Sequence, residues 1–197
     1  VIEEGFEKEK LFAIIDTIAR LSKETGIPVV TGDTKVMERG SVDGIVITTS
    51  GMGYAERPLD IPLRAGDRLI VSGGIGEHGT ALLARRFGVE TSIVTDSRPL
   101  WEEIDAVRHL VKQAKDVTRG GMAAVLNELA VRNHVAFLVD EQKVPLHKEV
   151  RSLTDLLGID ALSLACEGRF VCACAAKEAD AVLAALERFN PAAAVIG

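Results

Sequence analysis

Gly32, Asp33, Thr34, Lys35 and Val36 put a carboxylate, a hydroxyl and an ammonium side by side, behind the apolar run 27–31. A strand ending there would deliver all three groups to one sheet edge. That set suits a metal-bound phosphate: Asp33 for the metal, the Thr34 hydroxyl for a phosphate oxygen, the Lys35 ammonium for developing negative charge. Two later segments have the same character, Asp116-Val117-Thr118-Arg119-Gly120-Gly121 and Ala165-Cys166-Glu167-Gly168. Free backbone N–H groups at a helix start, with Thr118, Arg119, Gly120 and Gly121 around them, make an anion site. Glu167 stands on a loop leading into a strand, where a carboxylate can take a proton. Each segment alone also has an ordinary reading. Asp33 would then be a turn cap, Thr118 a helix cap, and Lys35 and Glu167 members of surface ion pairs. Three such segments in order favour a site over three coincidences. His78, in a glycine turn, either faces phosphates or is structural. His109, His134 and His147 take no role, and Glu3 and Glu4 read as solvated.

A rival pattern is Gly74-Ile75-Gly76-Glu77-His78-Gly79, which matches G-x-G-x-x-G, follows an expected strand and opens an expected helix. Asp96 then stands where a ribose-binding acid would be, at the end of an expected strand over 92–95. This alternative is a nicotinamide-dinucleotide-binding oxidoreductase using Gly74, Gly76, Gly79 and Asp96. Against it, the chain beyond Asp96 continues through two long helical patterns rather than further strand–helix units. It also leaves the Gly-Asp-Thr-Lys and Thr-Arg-Gly-Gly segments unused. The glycines then serve a tight strand–helix turn.

The elements that must position these groups follow from periodicity. Leu11, Ile14, Ile15, Ile18 and Leu21 form one face of a helix over 7–24, stopped by Gly26. Strands are expected over 27–31 and 44–49. Residues 51–62 carry glycine, proline and little pattern, a domain boundary. Beyond it come a strand at 68–72, a helix through Phe87 and a helix from Pro99 continuing through Leu110 and Val111. A helix from Gly120, a strand over 136–139, a helix over 146–157, a strand over 170–175 and a helix over 177–189 complete the chain. Uneven alternation of helix and strand reads as α+β in two lobes, not a regular parallel sheet.

The 197 residues suffice for one large or two small domains, and 47% hydrophobic with 26% charged residues is a globular composition. A net charge of -6 gives no electrostatic case for nucleic acid. No apolar run is long enough for a bilayer, and no signal-peptide pattern occurs. Cys166, Cys172 and Cys174 are odd in number, and two stand at i, i+2 in an apolar strand. They read as small core hydrophobes in a reducing, cytoplasmic compartment. The chain opens at Val1 and stops inside an expected strand, so a fragment of a longer protein is expected.

Taken in order, Gly32–Val36, Gly76–Gly79, Asp116–Gly121, Leu157–Asp160 and Ala165–Gly168, with the opening Ile2–Gly5, resemble the HypE family of hydrogenase maturation proteins. That family is related to aminoimidazole ribonucleotide synthetase and selenophosphate synthetase, and the resemblance spans essentially the whole chain. It implies a two-domain α+β architecture with the first domain incomplete. Residues 1–57 would be the C-terminal part of an ATP-binding and dimerisation domain, and 58–197 a second α+β domain lacking its tail. It implies ATP and Mg2+, a homodimer, HypF as carbamoyl donor and a HypC–HypD complex as cyanide acceptor. The reaction implied is ATP-dependent dehydration of a carbamoyl group on a C-terminal cysteine, giving the thiocyanate precursor of the cyanide ligands of [NiFe]-hydrogenase. Lys35 and Glu167 are the expected catalytic pair and Asp33 the metal contact. Asp33, Thr34, His78, Thr118, Arg119, Gly120 and Gly121 are the expected nucleotide contacts. The three cysteines do not match the acceptor position, so this chain alone is expected not to turn over. A scaffold or interaction module without catalysis is the third reading.

Overall fold

The computed structural model describes residues 1–197, which divide into two compact units, Val1–Glu56 and Arg57–Gly197. In the first unit β1 (Ile2–Glu3) pairs in parallel with β2 (Val36–Met37), and α1 (Lys8–Thr25) runs between them in the chain. The left-handed conformation of Gly26 ends α1, as expected for a glycine just past a helix. No residue of α1 is buried. Leu11, Ile14 and Leu21 are half-buried, while Ile15 and Ile18 of the same face are exposed.

Three expectations fail in this unit. Residues 27–31 form no strand: no neighbouring strand bonds them, and Val30 is 84% exposed. The strand expected over 44–49 is reduced to one bridge, between Ile45 and Ile2. Glu3 is not simply solvated. Its carboxylate accepts the N–H groups of Gly40 and Gly44 and so ties the 40–44 turn to β1.

The second unit is built on a four-stranded sheet of β3 (Arg68–Val71), β4 (Val111–Asp116), β5 (Phe170–Cys174) and β6 (Ala194–Val195). The spatial order is β4-β5-β3-β6, and every pairing is antiparallel. Strand alternation sends β5 residues to two cores. Val171 and Ala173, with Leu69 and Val71, pack under α4 (Gly121–Asn133) through Met122, Val125 and Leu129. Phe170, Cys172 and Cys174, with Ile70, pack on the other face under α3 (Trp101–Val107) and α6 (Ala179–Glu187). A bulge between Val111 and Gln113 puts Val111 and Ala114, three apart, against the same core. α2 (Glu77–Phe87) and α5 (Lys148–Leu157) complete the unit.

The sheet corrects several sequence expectations. A dinucleotide fold needs adjacent parallel strands, and this sheet has none, so the glycine fingerprint is only a strand–helix turn. Residues 92–95 form no strand, because the Ser92 N–H goes to the Glu149 carboxylate, 3.2 Å away, instead of to a neighbouring strand. The helix expected to run through Leu110 and Val111 stops at Val107, and β4 begins at Val111. Residues 136–139 form no strand. Phe137 and Val139 still turn inward to the core, while Leu138 is 90% exposed.

All three cysteines are free and buried, as core hydrophobes. Burial pushes the Cys166 thiol up to about 12 and the Cys174 thiol up to about 11, and raises Cys172 further. A thiol raised above its unfolded value of 9.0 favours the fold below that pH. The contribution disappears as pH climbs through the folded values. The native chain is therefore expected to resist a thiol reagent at about pH 8 and to expose three reactive thiols on denaturation, with stability falling only above about pH 9. A cysteine labelled in the native state at that pH would contradict this packing.

Candidate functional site

In the first unit Asp33, Thr34 and Lys35 lie in an extended stretch leading into β2, and all three are exposed. Asp33 Oδ1 accepts the Thr34 N–H at 2.8 Å, a contact between chain neighbours, and the residue is exposed. The Lys35 carbonyl accepts the Ile2 N–H at 2.8 Å, which fixes the backbone immediately before β2. No group of three or more His, Cys, Asp or Glu side chains is gathered anywhere in the chain to hold a metal. A lone Asp33 carboxylate therefore does not make a resident metal centre. A single carboxylate suits only an ion that brings most of its own ligands.

The second unit gathers the remaining residues around the segment 162–169. Gly121 opens α4 at φ 65°, and a Cβ there would run into the Leu162 carbonyl oxygen, so glycine is required. Gly120 precedes it at φ 82°, and no side chain caps the helix. Thr118 contributes its carbonyl, accepting the Gly121 N–H at 2.9 Å, rather than the cap hydroxyl of the ordinary reading. The positive end of α4 is thus left without a side-chain acceptor, beside an exposed Arg119. In the first turn of α2, half-buried His78 brings Nδ1 to 2.8 Å from Thr95 Oγ1.

Glu167 projects from the tip of the same segment with its side chain exposed. The turn beneath it is held at each residue. Cys166 N–H donates to the Val117 carbonyl at 2.7 Å, and its Sγ accepts the Gly76 N–H at 3.1 Å. Glu167 N–H donates to Asp96 Oδ1 at 2.8 Å. A Cβ on Gly168 would collide with the Asp96 carbonyl oxygen, which explains the glycine after Glu167. Gly79 N–H donates to the Ala165 carbonyl at 3.0 Å. The glycine turn after β3, the start of α2 and the start of α4 therefore meet at one short segment.

Sequence reasoning missed what lies beneath. Arg169, 8% exposed, donates from Nε to the Gly74 carbonyl (3.0 Å), from Nη1 to the Gly168 carbonyl (2.7 Å) and from Nη2 to Glu77 Oε2 (2.8 Å). Its fork joins the glycine turn to the Glu167 turn. Glu103, 3% exposed, pairs with Arg98. Burial pushes the Glu103 carboxyl up, and Arg98 and Arg169 pull it back. Asp96, proposed from spacing as a ribose ligand, is instead buried and turned to the Glu167 backbone. The only sequence signal for this layer was an arginine directly after the Cys-Glu-Gly run.

Comparison with known proteins follows the same outline. Residues 64–197 match the family described as AIR synthase related protein, C-terminal domain. The chain is 42% identical, over all of its length and 59% of the relative's, to a protein of Rhizobium leguminosarum bv. viciae named carbamoyl dehydratase HypE. It superposes with a TM-score of 0.87 on a solved HypE in complex with ATP, at 31% identity, covering all of this chain and 62% of that one. It superposes equally, at 0.87 and 32% identity, on a chain of a HypE–HypF complex, covering all of this chain and 68% of that one. The chain spans about six tenths of the length of the curated relatives it matches.

Proposed function

Because the chain belongs to the HypE branch of the AIR synthase related family, we propose that it is the greater part of an ATP-dependent carbamoyl dehydratase serving [NiFe]-hydrogenase maturation. The observation that carries this reading is the identity, sustained over the whole chain, to a protein named for that activity. The solved relatives with ATP and with HypF support ATP as substrate and HypF as carbamoyl donor. Residues 1–57 are then the C-terminal part of the ATP-binding domain and 58–197 the second domain. The acceptor is a cysteine thiol near the C-terminus of the full-length protein. We place the reaction in the cytoplasm, in a homodimer that passes its product to a HypC–HypD complex.

In this reading the carbamoyl oxygen attacks the γ-phosphorus of ATP and ADP leaves. Both N–H protons must leave nitrogen: one is lost as the O-phosphorylated imidate forms, and a base takes the second as the C–O bond breaks, phosphate departs and the C≡N bond forms, one of the two protons ending on the released phosphate and the other in solution. The balance is one thiocarboxamide and one ATP to one thiocyanate, ADP, phosphate and a proton. Glu167, exposed on a fixed turn, is the proton acceptor. Lys35 stabilises charge developing on the transferred phosphoryl group and the amide oxygen. Thr34, His78, Thr118, Arg119 and the amide end of α4 at Gly120 and Gly121 hold the phosphates. Mg2+ neutralises phosphate charge when bound, with Asp33 contributing a carboxylate.

The test is ADP release by a full-length protein carrying this sequence, carbamoylated by HypF. ADP is expected only from the carbamoylated form, and Lys35→Ala is expected to slow it about 10²–10³-fold. ADP release that ignores the carbamoyl group, or that Lys35→Ala leaves unchanged, would overturn the assignment.

A further inference from the structure

We propose that Asp96 is the positioning residue for Glu167, setting the height and direction of the catalytic turn by accepting the Glu167 N–H. The inference rests on the reading of Glu167 as proton acceptor. Asp96 lies 71 residues away in the chain and belongs to an irregular loop, yet it is 8% exposed and its Oδ1 is 2.8 Å from Glu167 N. Its own backbone closes on the turn as well: the Asp96 carbonyl leaves no room for a Cβ on Gly168. One residue therefore holds Glu167 through a side chain and Gly168 through its main chain.

The carboxylate is also engaged with the residue before Glu167: burial, and then the charge of Asp96, hold the buried Cys166 thiol above its ordinary range. The neighbourhood accounts for why the arrangement holds its shape: Cys166 is bound on both its amide and its sulfur, and Arg169 grips the Gly168 carbonyl. The Glu167 amide would lose its partner if the Asp96 side chain were removed. The turn would then be tethered at 166 and 168 but free to rotate between them, and misplacement of a catalytic group by about 1 Å is enough to cost about 10²-fold in rate.

Asp96→Ala, in the full-length protein, is expected to lower the rate of water loss about 10–100-fold with the KM for ATP unchanged. Asp96→Asn keeps an acceptor oxygen and is expected to restore most of the rate. In a Glu167→Gln background, Asp96→Ala should add no further loss. An unchanged rate in Asp96→Ala, an equal loss in Asp96→Asn, or an additive loss in the double variant would overturn the proposal. Hydrogen exchange on the unsubstituted chain gives a reading that needs no variant. The Glu167 amide should be protected, and exchange at the rate of an open loop would overturn the proposal on its own. If Glu167→Gln alone leaves the rate intact, the base assignment fails. Protection of the Glu167 amide still reports separately on the Asp96 contact.

Discussion

Glu167→Gln in the full-length protein is expected to slow dehydration of the carbamoylated thiol by about 10²–10⁴-fold, the usual contribution of a general base. The substitution keeps the side-chain length and the backbone N–H that donates to Asp96. It removes only the group able to accept the amide proton. Because the side chain is exposed, the thermal midpoint should barely move. Affinity for ATP should also persist, since the phosphate contacts assigned above lie elsewhere. Single-turnover rates separate these effects from binding. A rate within a few-fold of the original would move the base to another residue.

Arg169→Met is expected to have the largest effect on stability. Methionine keeps much of the volume but removes the guanidinium that joins Gly74, Gly168 and Glu77. Breaking a buried pair from one side leaves an uncompensated charge and costs about 3–5 kcal/mol, a large share of the roughly 5–15 kcal/mol typical of a domain. For the unit Arg57–Gly197 that corresponds to a fall in Tm of about 10–20 °C. The loss should depend on pH. Burial holds the folded Glu103 carboxyl above its ordinary value of 4.5, and Arg169 is one of the groups pulling it back down. A raised carboxyl favours the fold below the unfolded value and opposes it as pH rises through the folded one. Part of the Arg169→Met deficit should therefore return as the solution is acidified and Glu103 takes a proton. Calorimetry across pH measures both. A variant as stable as the parent at neutral pH would show that the fork carries no weight.

The parts of the fold that were legible in the sequence are those set by local pattern. α2, α4 and α5 carry their own apolar periodicity and glycine signals, and β5 alternates between two cores. Where a segment's fate depends on a distant partner, local pattern misled. Residues 27–31 are apolar and β-branched yet pair with nothing in this chain. Residues 92–95 give an N–H to Glu149, 57 positions on. Val111 continues the helical spacing of Trp101, Ile104, Val107 and Leu110, yet it opens β4.

The candidate site divides the same way. The chemistry of exposed Asp33, Lys35 and Glu167 and of half-buried Thr118 was visible as residue types beside glycine. Its support was not. Arg169 reaches Gly74 across 95 positions and Asp96 reaches Glu167 across 71, and no short-range signal marks either pairing. Asp96 was noticed for a spacing that belongs to a different fold.

The central claim is the conversion of a carbamoyl group to a nitrile at the expense of ATP. It is tested most directly by the intact mass of a full-length protein carrying this sequence, carbamoylated on its acceptor thiol and then given Mg-ATP. Loss of one water from the adduct is expected, dependent on ATP and slowed about 10²–10⁴-fold by Glu167→Gln. An adduct that keeps its mass in the presence of Mg-ATP would contradict it.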